Sequence, residues 1–496
     1  MAGHLTHRGT GVTAGLATAA TPTMSADVLI VGSGAGGATT ATILAEAGLD
    51  VLVVEEGQWV EQGTVVPFSL DQMDRQYRSG GVTVALGLPS VAYTEGRCAG
   101  GGTEVNSGLY WRPPGEMLER WRDEFRIDDF DPAELLSIAD EIEVAINVTT
   151  VPDRHSEPSE RLRLGAERLG WRHGEIPRWM RYPDGIATKG QRQSMTRTYL
   201  PRAAAAGARL VVGCRVDRLE LEAGRARRAV TTLADGRRGS ITFRHVFVCG
   251  GAIQSPALLQ RSGLTEAIGR SLAVHPTVKL AARFPEALNV PDDVPVHQVK
   301  EFAPHLSFGG SASNPGLVAL SLLDQWPTFG SAVTDWERMS VYYAAITSEG
   351  RGRVMSLPGL ADPLVTYRLT ARDRELLRSG LARLALLMLE AGADTVFPSF
   401  RGAPSVRTRR DLAAMQRAFR ATRATVMTVH LCSTLPMGEV AGRCGADSRG
   451  RVHGTTNVFV NDASLLPTAP GVNPQASVMA FAIRNARRFV AEGSRA

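Results

Sequence analysis

Three glycines and one acidic residue near the start of the chain have the types and spacing that bind a dinucleotide. Gly32, Gly34 and Gly37 follow the apolar run DVLIV and precede an alanine-rich stretch typical of a helix. In such a turn the glycines permit a tight bend, close backbone approach to a pyrophosphate and close helix–strand packing. Glu55 ends the next apolar run, VLVVEE, where a carboxylate accepts hydrogen bonds from both ribose hydroxyls of an adenosine. These residues predict a dinucleotide site but do not distinguish FAD from NAD.

Five further runs occur in the order found in a known enzyme family. They are GRCAGGGTEVNSGLY at 96–110, GAIQSPALLQRSGL at 251–264, HLCSTLPMG at 430–438, VHGTTNVFVNDASLLP at 452–467 and GVNPQAS at 471–477. Together they resemble the glucose-methanol-choline (GMC) oxidoreductase family. Ala99 and Thr265 differ from the residues that the family usually has at those two positions. The resemblance covers essentially residues 26 to 490 and implies FAD rather than NAD.

Within that family the sequence is most similar to the cholesterol oxidase and long-chain fatty alcohol oxidase branch, which uses a histidine–asparagine pair. The runs PSERLRLGAERLG at 158–170 and QRQSMTRTYLPRAAAAGARL at 191–210 also resemble fatty alcohol oxidases. That branch usually has cysteines ahead of the second run, and this chain has none there.

The resemblance implies that His430 and Asn473 are the catalytic pair. His430 would be the general base that takes the hydroxyl proton of an alcohol, Asn473 would hydrogen-bond the same oxygen, and the hydride would pass to N5 of the flavin. A histidine suits this task because its ordinary pKa is near neutrality. Asn473 has a second interpretation, since Asn followed by Pro474 is typical of a helix N-cap with proline at the first position, opening a helix to about Phe489. Both roles can hold together.

The same resemblance assigns further residues to FAD. Val105 stands where some members attach FAD through a histidine, so the FAD is predicted to be noncovalent. Asp462 has an alternative role as a turn-forming residue after a strand, and His453 is expected to be structural. The predicted cofactor-binding residues, besides the first glycines and Glu55, are Gly100, Gly101, Thr103, Asn106, Ser107, Val216, Asp462 and Pro474.

The elements that must position these residues predict an α/β fold, with a Rossmann-like FAD-binding domain interleaved with an antiparallel-sheet substrate domain. Apolar runs without alternation indicate a covered parallel sheet, whereas VKLAARF, LVALSLL and VYYAAIT are interpreted as antiparallel strands. Helices are expected from about Pro114 to Asn147 and from Ala371 to Ala391. The predicted organisation is a disordered leader at 1–24, the FAD domain at 25–275 with an inserted region at 113–185, the substrate domain at 276–401 and a C-terminal return at 402–496.

Composition limits the partners and the location. The net charge is +5, but 50 acidic residues are interspersed among 55 basic ones, so nucleic-acid binding is not expected. The five cysteines include no CxxC pair, which argues against a disulfide framework or a metal site and favours the cytoplasm. No apolar run is long enough to cross a membrane.

The predicted reaction is therefore oxidation of a small-molecule alcohol, a lipid-like, sugar-like or natural-product compound, with oxygen or another electron acceptor. Two alternatives stay open. One is a non-oxidative flavin-containing family member, such as a lyase or a decarboxylase, which the presence of both His430 and Asn473 disfavours. The other is a binding protein without flavin, which the intact glycines and Glu55 disfavour.

Overall fold

The computed structural model describes residues 23–186, 190–291 and 293–493. Most of the predicted leader lies outside the described residues. Thr23 and Met24, which were assigned to the leader, belong instead to the first strand, Thr23–Val31. They do so because the neighbouring strand is long enough to offer them Ser240 and Ile241 as partners.

A seven-stranded sheet forms the first half of the molecule. Its central strands are parallel and almost fully apolar, because helices and loops cover both faces. The last three residues of the longest strand also pair with a strand from near the C-terminus. The strand order is Cys214–Glu222, Arg225–Leu233, Arg238–Val248, Thr23–Val31, Val51–Val54 and Arg209–Val211, with Val458–Val460 beside Arg238–Val248.

A nine-stranded, mainly antiparallel sheet forms the second half. Its strands run in the order Thr83–Ala85, Val91–Tyr93, Val426–Thr428, Thr277–Arg283, Met339–Ile346, Leu306–Gly310, His297–Val299 and His173–Glu175, with Thr395–Pro398 beside Thr277–Arg283. The runs VKLAARF and VYYAAIT are strands, as predicted. LVALSLL is not a strand but most of the helix Pro315–Leu322. The Asn314 side chain accepts the N–H of Leu317 and Pro315 occupies the first turn, so the run follows a complete helix start, and it contains only one β-branched residue, Val318.

Three small sheets complete the strands: Ala273–Val274 with Leu431–Cys432, Arg351–Met355 with Leu364–Arg368, and Val148–Thr149 with Arg178–Arg181 and Gln191–Arg192. The remaining α-helices are Ala35–Glu46, Leu70–Gln76, Gly102–Val105, Gly115–Phe125, Pro132–Ala145, Glu157–Leu169, Tyr199–Ala205, Gly251–Arg261, Trp326–Phe329, Ala371–Glu390, Asp411–Ala418 and Gln475–Gly493. Short 3₁₀ turns occupy Arg78–Gly81, Leu323–Gln325, Gly330–Arg338, Ala421–Arg423 and Ala463–Leu465.

The helix expected from Pro114 to Asn147 is two helices. Arg126 and Asp129 have positive φ angles of 53° and 51°, and Pro132 opens the second helix, so the backbone cannot continue helically between them. The helix at Ala371–Glu390 agrees with the prediction and begins with a capping box between Thr370 and Asp373.

Each large sheet has its own hydrophobic core. The core of the seven-stranded sheet collects buried side chains from residues 26 to 268 and again from 432 to 486. The core of the nine-stranded sheet lies mainly between residues 253 and 426 and includes the inner face of Ala371–Glu390. The chain therefore leaves the first sheet, builds the second, and returns, which leaves a space where the two sheets meet.

Candidate active site

A cavity of about 560 Å³ lies between the two sheets and collects most of the residues predicted from the sequence. Val31, Val54 and Val248 line it at the carboxyl ends of three parallel strands, the edge at which open α/β sheets bind ligands. Of the predicted site residues, all but Gly37 and Gly100 line this cavity.

The first glycine turn has the geometry that the sequence predicted. Gly32 has a φ of +101°, and a side chain there would clash with the carbonyl of Cys249. A Cβ on Gly37 would overlap the carbonyl oxygen of Gly32, so Gly37 serves helix–strand packing rather than direct contact. Gly34 is open, with its nearest neighbour for a Cβ 3.9 Å away at Gly101. It precedes the helix Ala35–Glu46, whose first N–H groups have no side-chain cap and are free for an anion.

Glu55 faces the same cavity from the end of its strand. One carboxylate oxygen accepts hydrogen bonds from the backbone N–H and the hydroxyl of Ser33 at 3.0 and 2.7 Å, and the other accepts the N–H of Gly57 at 2.9 Å. Burial raises its pKa, and these hydrogen bonds oppose that shift. The carboxylate is thus held in one orientation, with acceptor capacity left for a diol.

The second glycine-rich cluster lies against the first. Gly100 donates its N–H to the Ser33 hydroxyl at 3.1 Å, and Gly101 lies within contact distance of Gly34. The Thr103 hydroxyl donates to the Gly100 carbonyl at 2.7 Å, which fixes the following turn. The cluster therefore forms a second wall around the position expected for the pyrophosphate.

The following segment reaches the far end of the cavity. Asn106 donates from its side-chain amide to Gln475 at 2.8 Å and accepts the N–H of Gly108 at 3.0 Å. Ser107 lines the wall beside it. Gln475 was not predicted from the sequence, and it ties this segment to the start of the C-terminal helix.

Asp462 and Val216 also border the cavity. Asp462 is 6% exposed, caps the turn Ala463–Leu465 and accepts the N–H of Gly251 at 2.8 Å. Its turn-forming role is therefore present in the structure, while a direct contact with FAD stays a prediction. Val216 is 5% exposed and sits on the strand Cys214–Glu222, and its contact with FAD also stays a prediction.

His430 and Asn473 are brought together. Nε2 of His430 lies 3.2 Å from the side-chain amide of Asn473. The C-terminal helix begins at Gln475, one residue later than predicted, and the Pro474 carbonyl accepts its first N–H, from Val478. Asn473 therefore precedes the helix, and its amide points towards His430.

His275 was missed by the sequence analysis. Its Nδ1 lies 2.9 Å from Nδ1 of His430, with the rings nearly perpendicular, and its Nε2 accepts the N–H of Gly471 at 3.0 Å. The contact follows from strand register, because Val274 pairs with Leu431 and the next positions outward are His275 and His430. No motif in the sequence marks His275, since the pairing joins segments 155 residues apart.

The hydrogen bonds fix the positions of the protons. Because the Gly471 N–H occupies Nε2 of His275, neutral His275 carries its proton on Nδ1 and donates it to Nδ1 of His430. Neutral His430 then carries its own proton on Nε2, which lies 3.2 Å from Nδ2 of Asn473, and turning the amide by 180° would present Oδ1 to that proton. In this state Nε2 is a donor. For Nε2 to accept a proton, the proton of His430 would have to sit on Nδ1 and that of His275 on Nε2, a tautomer change that breaks the bond from Gly471.

The surroundings keep both rings neutral. Burial, and after it the charge of Lys300, lowers the pKa of His430 to about 4. Burial, the neighbouring His430 and Lys300 lower the pKa of His275 well below its ordinary value. The pair is therefore uncharged at neutral pH.

A histidine–glutamate cluster lies apart from this cavity, although no metal site was predicted. Ligand atoms of His155, Glu160 and His297 lie within 4.8 Å of one another. The Ser159 hydroxyl lies 2.9 Å from Nδ1 of His297, and Arg163 is paired with Glu160 at 2.7 Å. These groups already satisfy one another.

The observed residues fit FAD. The open Gly34 and the uncapped helix start suit a pyrophosphate, and the oriented Glu55 suits the adenosine ribose. The cavity continues from there to Asn106, Ser107, Asn473 and His430, the end at which a flavin ring would meet a substrate.

Comparison with known proteins gives the family. Residues 73–277 and 348–482 match the N- and C-terminal sequence models described as GMC oxidoreductase, and residues 27–68 match an FAD binding domain. A GMC-type oxidoreductase of Sinorhizobium fredii is 40% identical over 484 residues, which cover 95% of this chain and 96% of that one. The chain belongs to the GMC oxidoreductase family.

More distant relatives and solved structures agree. A long-chain-alcohol oxidase of Arabidopsis thaliana is 27% identical over 512 residues, which cover 92% of this chain and 66% of that one. The crystal structure of pyridoxine 4-oxidase from Mesorbium loti has a TM-score of 0.74 at 20% identity, covering 94% of this chain and 99% of that one. The predicted fold and the prediction of an FAD-dependent oxidoreductase are confirmed. Among the described helices, none combines the length and apolarity that a membrane crossing requires.

Proposed function

We propose that this GMC oxidoreductase oxidises the CH–OH group of an alcohol to an aldehyde or ketone, with FAD bound noncovalently. The observation that carries the proposal is the position of His430 and Asn473, side by side in the wall of the cavity that continues from the dinucleotide turn. The family and the alcohol oxidases among its relatives support an FAD-dependent oxidoreductase that acts on alcohol-type substrates. They give the lyase or decarboxylase alternative no support.

The two residues would divide the work at the substrate oxygen. His430 takes the hydroxyl proton on Nε2, and Asn473 donates a hydrogen bond to the oxygen as negative charge develops there. When bound, FAD supplies the hydride acceptor, and oxygen or another acceptor reoxidises it. A neutral His430 suits this role because a protonated ring has no lone pair for the hydroxyl proton.

His275 would set the form of His430. With Gly471 bound to His275, Nε2 of His430 is a donor; with that bond released, Nε2 is free to accept the proton. We infer that a substrate oxygen beside Asn473 favours the accepting form, because Asn473 then donates to the substrate rather than accepting from His430. His275 is therefore a positioning residue.

Anaerobic reduction of the flavin tests the proposal. A panel of primary and secondary alcohols, sterols and sugars is mixed with the holoenzyme, and loss of flavin absorbance is followed. At least one should reduce the wild-type flavin, and His430→Ala should bind FAD but reduce at least 100-fold more slowly, the order of magnitude for a general base. The exposed His305 lies outside the cavity, so His305→Ala is the matched control. Unimpaired reduction by His430→Ala would remove the assigned base.

Noncovalent attachment has its own test. Denaturation followed by filtration should release all of the flavin into the filtrate, because Val105, where a covalent linkage would be expected, offers no nucleophile. Flavin retained with the unfolded chain would contradict this assignment.

A further inference from the structure

Lysine is rare in this protein, and two of its three lysine residues line the cavity. The 55 basic residues include only three lysines, Lys189, Lys279 and Lys300. Both Lys279 and Lys300 line the cavity, and both are partly accessible from it. Arginine supplies nearly all the other basic side chains, so the two lysines set this cavity apart from the rest of the chain.

Lys279 lies in a row of polar side chains that crosses the nine-stranded sheet. It pairs with Tyr343, which pairs with Gly309, which pairs with Gln298. A side chain on Gly309 would clash with the Tyr343 hydroxyl, so the tyrosine ring crosses the sheet above this glycine. Gln298 donates to that hydroxyl at 3.1 Å. The row thus presents an ammonium group, a phenol and an amide to the cavity.

Within the described part of the chain, neither lysine forms an ion pair with a carboxylate. The acidic side chains that line the cavity have other partners. Glu55 is held by Ser33 and Gly57, Glu56 and Glu95 lie beside Arg78, and Asp462 is held by Ser255, Ser464 and Gly251. Burial, with no neighbouring acid to oppose it, lowers the pKa of each lysine to about 8. The Lys300 ammonium also lies over the Trp111 ring, 4.8 Å from its centre, in a cation–π contact.

An enclosed ammonium group without a counter-charge is costly, and an anion that pairs with it would lower that cost. We propose that the substrate is an alcohol that also carries an oxyanion, a carboxylate, sulfate or phosphate group, which Lys279 and Lys300 bind while the hydroxyl lies at His430 and Asn473. This inference rests on the proposed alcohol oxidation and adds the class of substrate.

Lys300 also connects the anion to the chemistry. Its charge lowers the pKa of both His430 and His275, so it lies near enough to act on them, whereas Lys279 has no such effect. Burial is the larger cause of the low pKa of His430, and a substrate anion paired with Lys300 would offset the smaller part that is due to the lysine charge. An anionic substrate would thereby make His430 somewhat more basic, and a neutral alcohol would not.

A matched set of alcohols tests the charge preference. Hydroxymethylbenzoate, its methyl ester and the corresponding aminomethyl compound present a similar ring and hydroxyl with a negative, neutral or positive group. The wild-type holoenzyme should show kcat/KM for flavin reduction roughly 10- to 100-fold higher with the carboxylate than with the ester, the range for a charge-assisted hydrogen bond. The ammonium compound should be the poorest. ω-Hydroxyalkanoates of increasing length, and sulfate and phosphate esters, then identify the favoured spacing and oxyanion.

Variants assign the preference to the lysines. Lys279→Met and Lys300→Met should each bring the carboxylate-to-ester ratio close to one, and Lys279→Arg should keep most of it. Removing an unpaired charge should leave flavin content and Tm equal to or above those of the wild type, which separates lost recognition from misfolding. If the wild type shows no preference, or if the Met variants slow the ester and the carboxylate equally, the lysines do not recognise substrate and the proposal is wrong.

Binding without turnover separates this proposal from the proposed function. Benzoate and alkanoates lack an oxidisable hydroxyl, so their binding, followed by the flavin spectrum and by equilibrium dialysis, does not depend on alcohol oxidation. Binding that disappears in Lys279→Met supports the anion site even if no alcohol reduces the flavin. If neutral alcohols reduce the flavin but the carboxylates bind neither the wild type nor Lys279→Met, alcohol oxidation stands and the anion site is overturned.

Discussion

Two substitutions of His275 separate its two hydrogen bonds. The amide of Asn occupies roughly the position of Nδ1 and can face His430, whereas the longer Gln places its amide near Nε2, facing Gly471. His275→Asn should therefore keep the partner of His430, and His275→Gln should lose it. His275→Phe removes both contacts at similar ring volume.

The size of the effect follows from the contact that is lost. In His275→Gln, Nδ1 of the enclosed His430 has no partner, which costs about 1 to 3 kcal/mol. At about 1.4 kcal/mol per factor of ten, kcat for flavin reduction should fall about 5- to 150-fold. His275→Asn should stay within about 5-fold of the wild type. KM should change little in either variant, because His275 acts on His430 rather than on the substrate.

Anaerobic stopped-flow reduction, at saturating alcohol and over a range of pH, measures these rates. Equal flavin content in the variants shows that the cavity is intact, and the exposed His305→Asn is the control. If His275→Gln were as fast as His275→Asn, or if both were as slow as His275→Phe, His275 would not position His430 through Nδ1.

Three other measurements test the site. Because the pKa of His430 is lowered to about 4, His430 stays neutral well below pH 6.5, and kcat/KM should fall only as the pH drops towards about 4. Lys300→Met removes a positive charge that lowers this pKa, so it should move the fall in kcat/KM to higher pH. An unchanged pH profile would refute the charge effect. Glu55→Leu should weaken FAD binding roughly 10- to 100-fold by removing acceptors of the ribose hydroxyls, seen as a lower flavin content and a higher Kd on titration of the apoprotein, whereas undiminished affinity would contradict the assignment. Gly37→Ala should lower Tm and flavin content together because its Cβ overlaps the Gly32 carbonyl, while Gly48→Ala, with open space but a positive φ, should show strain without loss of FAD affinity.

The sequence predicted the parts of the site whose geometry is set within a short stretch of chain. The turn from Gly32 to Gly37 works within one strand–helix unit, so spacing alone describes it. His430 and Asn473 were found through motifs of the resembling family, and the structure brings them together. The error at LVALSLL arose because an apolar run fits a helix or a strand equally well; the preceding Asn314–Pro315 pair was the available signal.

The missed residues depend on distant register. His275 gains its role only when Val274 pairs with Leu431, and Lys279 gains its polar neighbours only when its strand pairs with the strand of Tyr343. Lysine itself was a signal in the sequence, because the chain contains only three. Two of the three, Lys279 and Lys300, line the cavity.

The short ladder between Ala273–Val274 and Leu431–Cys432 has a consequence for how substrate preference can change. One histidine stands at each of its exits, and the strand that carries Lys279 and the segment that carries Lys300 both belong to the long excursion between them. The ladder therefore holds together the two ends of the segment between His275 and His430. Different side chains on that segment would change the surface that recognises substrate. The two histidines at its ends would keep their positions, so substrate preference can change while the catalytic groups stay the same.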